Sequence, residues 1–134
     1  SVFFCCSSES PSVSVMPHYR LTYFDLRARA EPIRMLFSLA GIPFEDERCR
    51  TEGLEMKDWV ATAMSYDPPV GALPMLEVDG VKIGQTIAIL RYMARETGYA
   101  GSDNLTTAIA DSLADQYIDY ERDCHKWHIV NAGY

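Results

Sequence analysis

The sequence predicts a mixed α/β fold, a sheet of short strands with helices packed on it, followed by the start of an all-α segment. Three observations lead there. Residues 19–24 (YRLTYF) alternate and are rich in aromatic and branched side chains, which suits a strand with one buried face. Residues 29–40 and 85–96 carry apolar positions at helical spacing, and each stretch is closed by a glycine, Gly41 and Gly98. Between two further apolar runs stands Asp79-Gly80, a strong short-range hairpin signal.

In chain order, the strand at 19–24 emerges just after Pro17. In the helix at 29–40, Ile33, Leu36, Phe37 and Ala40 form the buried face, and Pro32 is tolerated in the first turn. A short strand follows over 42–48. Residues 51–64, with Gly53 near their start and Trp59 in their later part, predict an irregular helix. Asp67-Pro68-Pro69 and Gly71 break the chain before a strand at 73–78, which turns into 81–83 as an antiparallel pair. The helix at 85–96 presents Ile87, Leu90 and Ala94 on one face. The order is therefore β-α-β-α-β-β-α. Past a glycine-containing connector at 99–104, a helix runs from Leu105 to at least Tyr120, with Ile109, Leu113 and Tyr117 recurring every fourth residue. An amphipathic helix must bury that stripe against further helices or a partner subunit.

With 134 residues, 48% of them hydrophobic, the chain holds one compact domain and a stub of a second. A formal charge of -7 argues against nucleic acid as a partner, and against an anionic membrane surface. No apolar run approaches the ~20 residues that cross a bilayer. Cys5, Cys6, Cys49 and Cys124 show neither disulfide-scaffold density nor C-x-x-C spacing, which fits a reducing cytosol. His125 and His128 beside Cys124 lack further ligands at a recognised spacing, so no metal is expected. Residues 1–15 lack the basic start and apolar length of a secretory signal. They are expected to be a disordered leader, with a true start at Met16.

The run 16–24 (MPHYRLTYF) followed by 27–34 (RARAEPIR) resembles the opening of sigma-class cytosolic glutathione transferases. So, in order, do 73–80 (LPMLEVDG), 85–95 (QTIAILRYMAR) and 110–115 (ADSLAD). The resemblance implies a thioredoxin-like glutathione-binding domain over 16–98, and a linker with the truncated beginning of a helical C-terminal domain over 99–134. It also implies a cytoplasmic enzyme, homodimeric in its full-length form, that joins glutathione to small electrophiles without a metal. Relatives in this family also isomerise a prostaglandin endoperoxide to prostaglandin D2.

Site residues follow from the same resemblance. A thiol with pKa near ~8.5 is only a few per cent ionised at neutral pH, so something must stabilise its anion. Tyr23 matches the family tyrosine whose hydroxyl donates to the sulfur, and a donated bond favours the charged form. Alone, it would be one of eight tyrosines filling a sheet face. Arg29 matches an arginine that strengthens the local field, against the alternative of a solvated charge beside Arg27 and Arg34. The family usually has Gly where Ala28 stands, and a positive φ there would strain alanine. Leu73-Pro74 resembles the cis-proline segment whose backbone pairs with the cysteinyl part of glutathione; proline is also a common strand-start device. Gln85 and Thr86, where the family commonly has Ser, open a helix whose N–H groups suit the γ-glutamyl carboxylate. Trp59 resembles a tryptophan at the glycyl end, but its usual lysine partner is replaced by Ala63. The lengthened 49–69 segment could also displace Trp59, with Lys57 supplying charge only if the loop refolds. Asp111 matches an acidic residue that reaches the γ-glutamyl amino group across the dimer; within the stripe Asp111, Asp115, Asp119 it could equally be a solvated face.

Two other readings stand beside the transferase. A non-catalytic relative such as the cephalopod lens S-crystallins shares the opening. Thiol exchange of the glutaredoxin kind needs a cysteine near the first helix, where Tyr23 and Arg29 stand instead. Residues 121–134 depart from the family pattern, so weak glutathione binding and poor conjugation are expected of this chain by itself.

Overall fold

A computed structural model of the chain describes residues 16–50 and 53–132, with Met56 and residues 125–132 described by backbone only. The expected leader at 1–15, and the side chains of His125 and His128, lie outside the described residues. The strands are β1 (Tyr19–Phe24), β2 (Glu45–Cys49), β3 (Met75–Val78) and β4 (Val81–Gly84); the helices are α1 (Glu31–Ala40), α2 (Met56–Ser65), α3 (Thr86–Thr97) and α4 (Asn104–Ala132). Spatial order in the sheet is β2-β1-β3-β4. This is the expected thioredoxin-like order, with a helical segment after it.

Strand direction decides where chemistry can gather. β1 runs parallel to β2 and antiparallel to β3, and β3 runs antiparallel to β4. Thr22 lies opposite Met75, and Met75 opposite Gly84. The end of β1, the start of β3 and the end of β4 therefore share one end of the sheet, and α3 starts there too.

Period-2 alternation splits β1 between two faces. Tyr19, Leu21 and Tyr23 share one face, where Tyr19 meets Phe37 of α1 edge-on at 5.3 Å. Ile33, Phe37, Ile89 and Met93 of α1 and α3 are fully enclosed there with Leu21 and Leu76. On the other face Phe24 meets Trp59 of α2 at 5.3 Å. Lys82 of β4 tethers the far end of α2, its Nζ donating to the carbonyls of Tyr66 and Asp67, both at 3.1 Å.

Several expectations need adjustment. α1 starts at Glu31 because residues 28–30 form a 3-10 turn leading into it. β2 begins at Glu45, not 42, since the Ile42 amide closes α1 by donating to the Phe37 carbonyl at 3.1 Å. Pro43 has no amide to offer a ladder, and Phe44 stacks on Phe37 with ring centroids 4.4 Å apart. β3 likewise starts at Met75, after Pro74. α2 is a regular helix of 10 residues rather than an irregular one.

The buried face of α3 also differs from the expected one. In α3 the buried seam is Thr86, Ile89 and Met93, while Ile87, Leu90 and Ala94 are only partly covered. This helix is apolar on two sides because it faces the sheet on one and α1 and α4 on the other. In α4, Ile109 and Leu113 of the expected stripe are 54% and 67% exposed, and Tyr117 is half-buried. α4 instead turns Thr107, Ala110, Asp111 and Ala114 toward α3 across a groove of about 190 Å³. Arg91 fastens that approach, donating to Asp111 at 2.9 Å and to Asp115 at 2.8 Å.

Candidate functional site

The shared sheet end carries two adjoining recesses. The first, about 510 Å³, is lined by Tyr23, Phe24, Leu26, Ala28, Arg29, Trp59, Leu73 and Glu121. The second, about 350 Å³, is lined by Arg29, Gln85, Thr86, Ile87, Asp115, Ile118 and Asp119. Arg29 belongs to both and stands between them.

Tyr23 is held by β1, one residue past the last rung that β1 shares with β3, and is 6% exposed. Extending that antiparallel register places it across from Pro74. Burial pushes its phenol up, and the Glu121 carboxylate pushes the same way; the Arg29 backbone N–H and guanidinium, and Arg34, pull down. The net direction is upward, so the group stays protonated at neutral pH and can donate its hydrogen.

Behind Tyr23 the chain turns sharply. Ala28 adopts φ 33, in the left-handed region that favours glycine, and the resulting turn brings Arg29 back over the recess. The Arg29 guanidinium meets Glu121 of α4 in a fork: Nε lies 3.3 Å from both carboxylate oxygens, and Nη2 lies 3.2 Å from Oε2. Hydrogen bonding to Glu121 pushes the Arg29 pKa up, so its charge is permanent.

The Leu73-Pro74 peptide is cis, and both residues are buried. Beyond β4, Gln85 takes φ 70 and ψ 120, outside the regions ordinary residues populate. Such strain costs on the order of 1–3 kcal/mol and tends to collect at functional sites. No side chain caps α3, so the N–H groups of its first turn open toward the second recess with the positive end of the helix dipole. Thr86 is buried beside them.

Trp59 stands at the sheet end, against Phe24; its indole N–H donates to the Leu54 carbonyl at 3.3 Å. Lys57 pairs locally with Glu55. Asp111 is placed elsewhere, in the groove between α3 and α4 with Arg91. One helical turn later, Asp115 lines the second recess, and so does Asp119 after another. The structure thus gathers Tyr23, Arg29, Trp59, Leu73, Gln85 and Thr86 around the two recesses, and sets Asp111 apart. Glu121 was not among the expected site residues. Among the described residues, no group of three or more His, Cys, Asp or Glu side chains is arranged to hold a metal ion, and no helix is long and apolar enough to cross a membrane.

Residues 19–95 match the family model for the glutathione S-transferase N-terminal domain. The chain belongs to the glutathione S-transferase family. A probable glutathione S-transferase 6 of Caenorhabditis elegans is 44% identical over 119 residues, covering 89% of this chain and 54% of that protein. A hematopoietic prostaglandin D synthase of Gallus gallus is 49% identical over 105 residues, covering 78% of this chain and 49% of that one. Among solved structures, a nematode-specific transferase of C. elegans superposes with a TM-score of 0.74 at 38% identity, covering 88% of this chain and 55% of that one. A monomeric glutathione S-transferase of the hookworm Necator americanus gives 0.73 at 40% identity, covering 87% and 53%. This transferase-family chain spans about half the length of the relatives it matches.

Proposed function

We propose that this chain carries the glutathione-binding half of a sigma-type glutathione transferase, with the Tyr23 hydroxyl as the donor that stabilises the glutathione thiolate. The observation that carries the reading is a buried, protonated phenol opening into a recess it shares with Arg29, Trp59 and Leu73. The thiol proton leaves to solvent, the sulfur anion accepts the phenolic hydrogen bond, and the thiolate attacks an electrophilic carbon. A carbon–sulfur bond forms as the leaving group departs with its electron pair. Arg29 supplies a fixed positive charge that needs no reorganisation during the step.

The tripeptide is then held along its length. The Leu73 backbone, ahead of Pro74, pairs with the cysteinyl unit, and Trp59 flanks the glycyl end. The γ-glutamyl carboxylate faces Gln85, Thr86 and the open N-terminus of α3. Its amino group needs an acidic partner. Asp111 is the residue the motif nominates, for a neighbouring subunit; within one chain, Asp115 and Asp119 are the carboxylates that line that recess. We assign residues 16–98 to the glutathione domain, residues 99–134 to the linker and the beginning of the helical domain, and residues 1–15 to a leader. A homodimer and a cytoplasmic setting complete the reading, with a small electrophile or a prostaglandin endoperoxide as second substrate.

Tyr23→Phe tests the central step. Ultraviolet titration of bound glutathione should show its thiol ionising below the free value in the wild type and returning toward that value in the variant. Conjugation should fall by roughly 10²–10³-fold, as when one preorganised donor is removed. An unchanged thiol titration in a folded Tyr23→Phe protein would remove Tyr23 from the mechanism.

A further inference from the structure

We propose that Glu121 is a positioning residue for this site, holding the Arg29 guanidinium between the two recesses and setting, by its own negative charge, how strongly the Tyr23 corner favours an anion. The geometry is specific. Three nitrogen–oxygen approaches of 3.2–3.3 Å join the guanidinium to the carboxylate, spanning residues 92 positions apart. The Glu121 side chain is 20% exposed although Leu105, Ile109, Leu113 and Tyr120 of the same helix are all more than half exposed, and it lines the same recess as Tyr23. Arg29, 52% exposed, forms no other ion pair among the described residues. Its charge is placed where it is because Glu121 holds it there.

A carboxylate at this point acts in two opposed ways. It orders the arginine, which favours an anion near Tyr23, and it contributes a negative charge, which disfavours one. The groups facing the phenol are Arg29 from the turn before α1, Arg34 from α1, and Tyr117 and Glu121 from α4. Glu121 and burial push the phenol up while Arg29 and Arg34 pull it down, and Tyr117 is itself pushed up by burial and by Glu121. Arg34 is spoken for by Asp46, Glu31 and the Leu26 carbonyl, which leaves the paired charges of Arg29 and Glu121 to set the balance at the phenol. α4 thereby couples its docking to the chemistry of the sheet end.

The inference rests on the proposed thiolate role of Tyr23 for its meaning but not for its measurement. The Tyr23 phenol can be titrated without ligand, as the ultraviolet difference between each protein and its Tyr23→Phe counterpart. Glu121→Gln keeps an acceptor for Arg29 and removes the charge, so the Tyr23 midpoint should fall by about half a pH unit or more. Arg29→Met should raise it. In the double variant the two effects should fail to add, because the residues act as one unit. With saturating glutathione, Glu121→Gln should move the thiol titration in the same direction as the phenol, and Glu121→Asp should stay nearer the wild type. A Tyr23 midpoint unmoved by Glu121→Gln, with circular dichroism unchanged, overturns the inference. Strictly additive shifts overturn the positioning of Arg29. If the phenol shifts as expected but glutathione does not bind the wild type, the proposed function fails and the Glu121 effect stands.

Discussion

The sheet unit and α4 are built on different physics. In the sheet unit Leu21, Ile33, Phe37, Leu76, Ile89 and Met93 are wholly enclosed, and dispersion and apolar burial hold the layers together. In α4, Leu105, Ile109, Leu113 and Tyr120 are all more than half exposed. The hydrogen-bonded contacts that join α4 to the sheet unit are charged: Arg91 with Asp111 and Asp115, and Arg29 with Glu121. These directional, salt-sensitive contacts of weak net energy flank a narrow apolar edge of Leu90, Ala94, Ala110 and Ala114. The site straddles the two regimes, because Tyr23, Leu73 and Thr86 belong to the first while Asp115, Asp119 and Glu121 belong to the second.

The same substitution should therefore have very different effects in the two regions. Leu76→Ala, at a fully enclosed position, should destabilise by about 2–5 kcal/mol. Leu113→Ala, 67% exposed, should stay within about 0.5 kcal/mol. Denaturant melts of both variants measure the difference. Comparable losses would mean that Leu113 is covered in solution, and the contrast between the regions would disappear.

How much of this was readable from the sequence follows the same division. The sheet unit was legible because local signals agree along it: alternation through Tyr23, the Asp79-Gly80 hairpin, and the glycine stops at Gly41 and Gly98. Both stops take φ values of 66 and 79. Ala28 was readable as a position wanting positive φ, and it has one. The α4 contacts were not legible. Glu121 meets Arg29 across 92 positions, a pairing that no local period encodes. The four-residue recurrence of Ile109, Leu113 and Tyr117 pointed to a face that other helices or a partner would cover, whereas small residues, Ala110 and Ala114, approach α3. The acidic stripe was visible, but which of its members lines the recess depends on how α4 is rotated, and Arg91 fixes that rotation.

Alkaline pH should act on the sheet unit through the phenols of buried Tyr19 and half-buried Tyr66. Burial, then Tyr92, pushes Tyr19 up to about 12; its contact with Cys49, then burial, does the same for Tyr66. Both are raised above their ordinary value of 10.0. The folded state therefore holds these protons more tightly than the unfolded chain does. Their contribution to stability is complete below pH 10 and is lost as pH rises toward 12. Tyr19→Phe should flatten the fall in melting temperature across that window. A fall just as steep in Tyr19→Phe would assign the alkaline limb to other groups.

The smallest effect is the one most specific to α4. Ion pairs between partly exposed groups are each worth about 0–1 kcal/mol and are screened by salt, whose Debye length falls from about 10 Å at 0.1 M to about 3 Å at 1 M. Arg91 is 31% exposed, with Asp111 at 35% and Asp115 at 63%, so its fork lies within reach of that screening. Apolar burial in the sheet unit is not weakened in this way. Raising salt should thus speed hydrogen exchange along α4 while leaving β1, β3 and α3 protected, and Arg91→Met should give at low salt what the wild type shows at high salt. Loss of the fork also frees the rotation of α4, so Asp115 and Glu121 should leave their recesses together. If α4 exchange ignores both salt and Arg91→Met, then the apolar edge formed by Leu90, Ala94, Ala110 and Ala114 holds the helix, and the two regions share one mode of attachment.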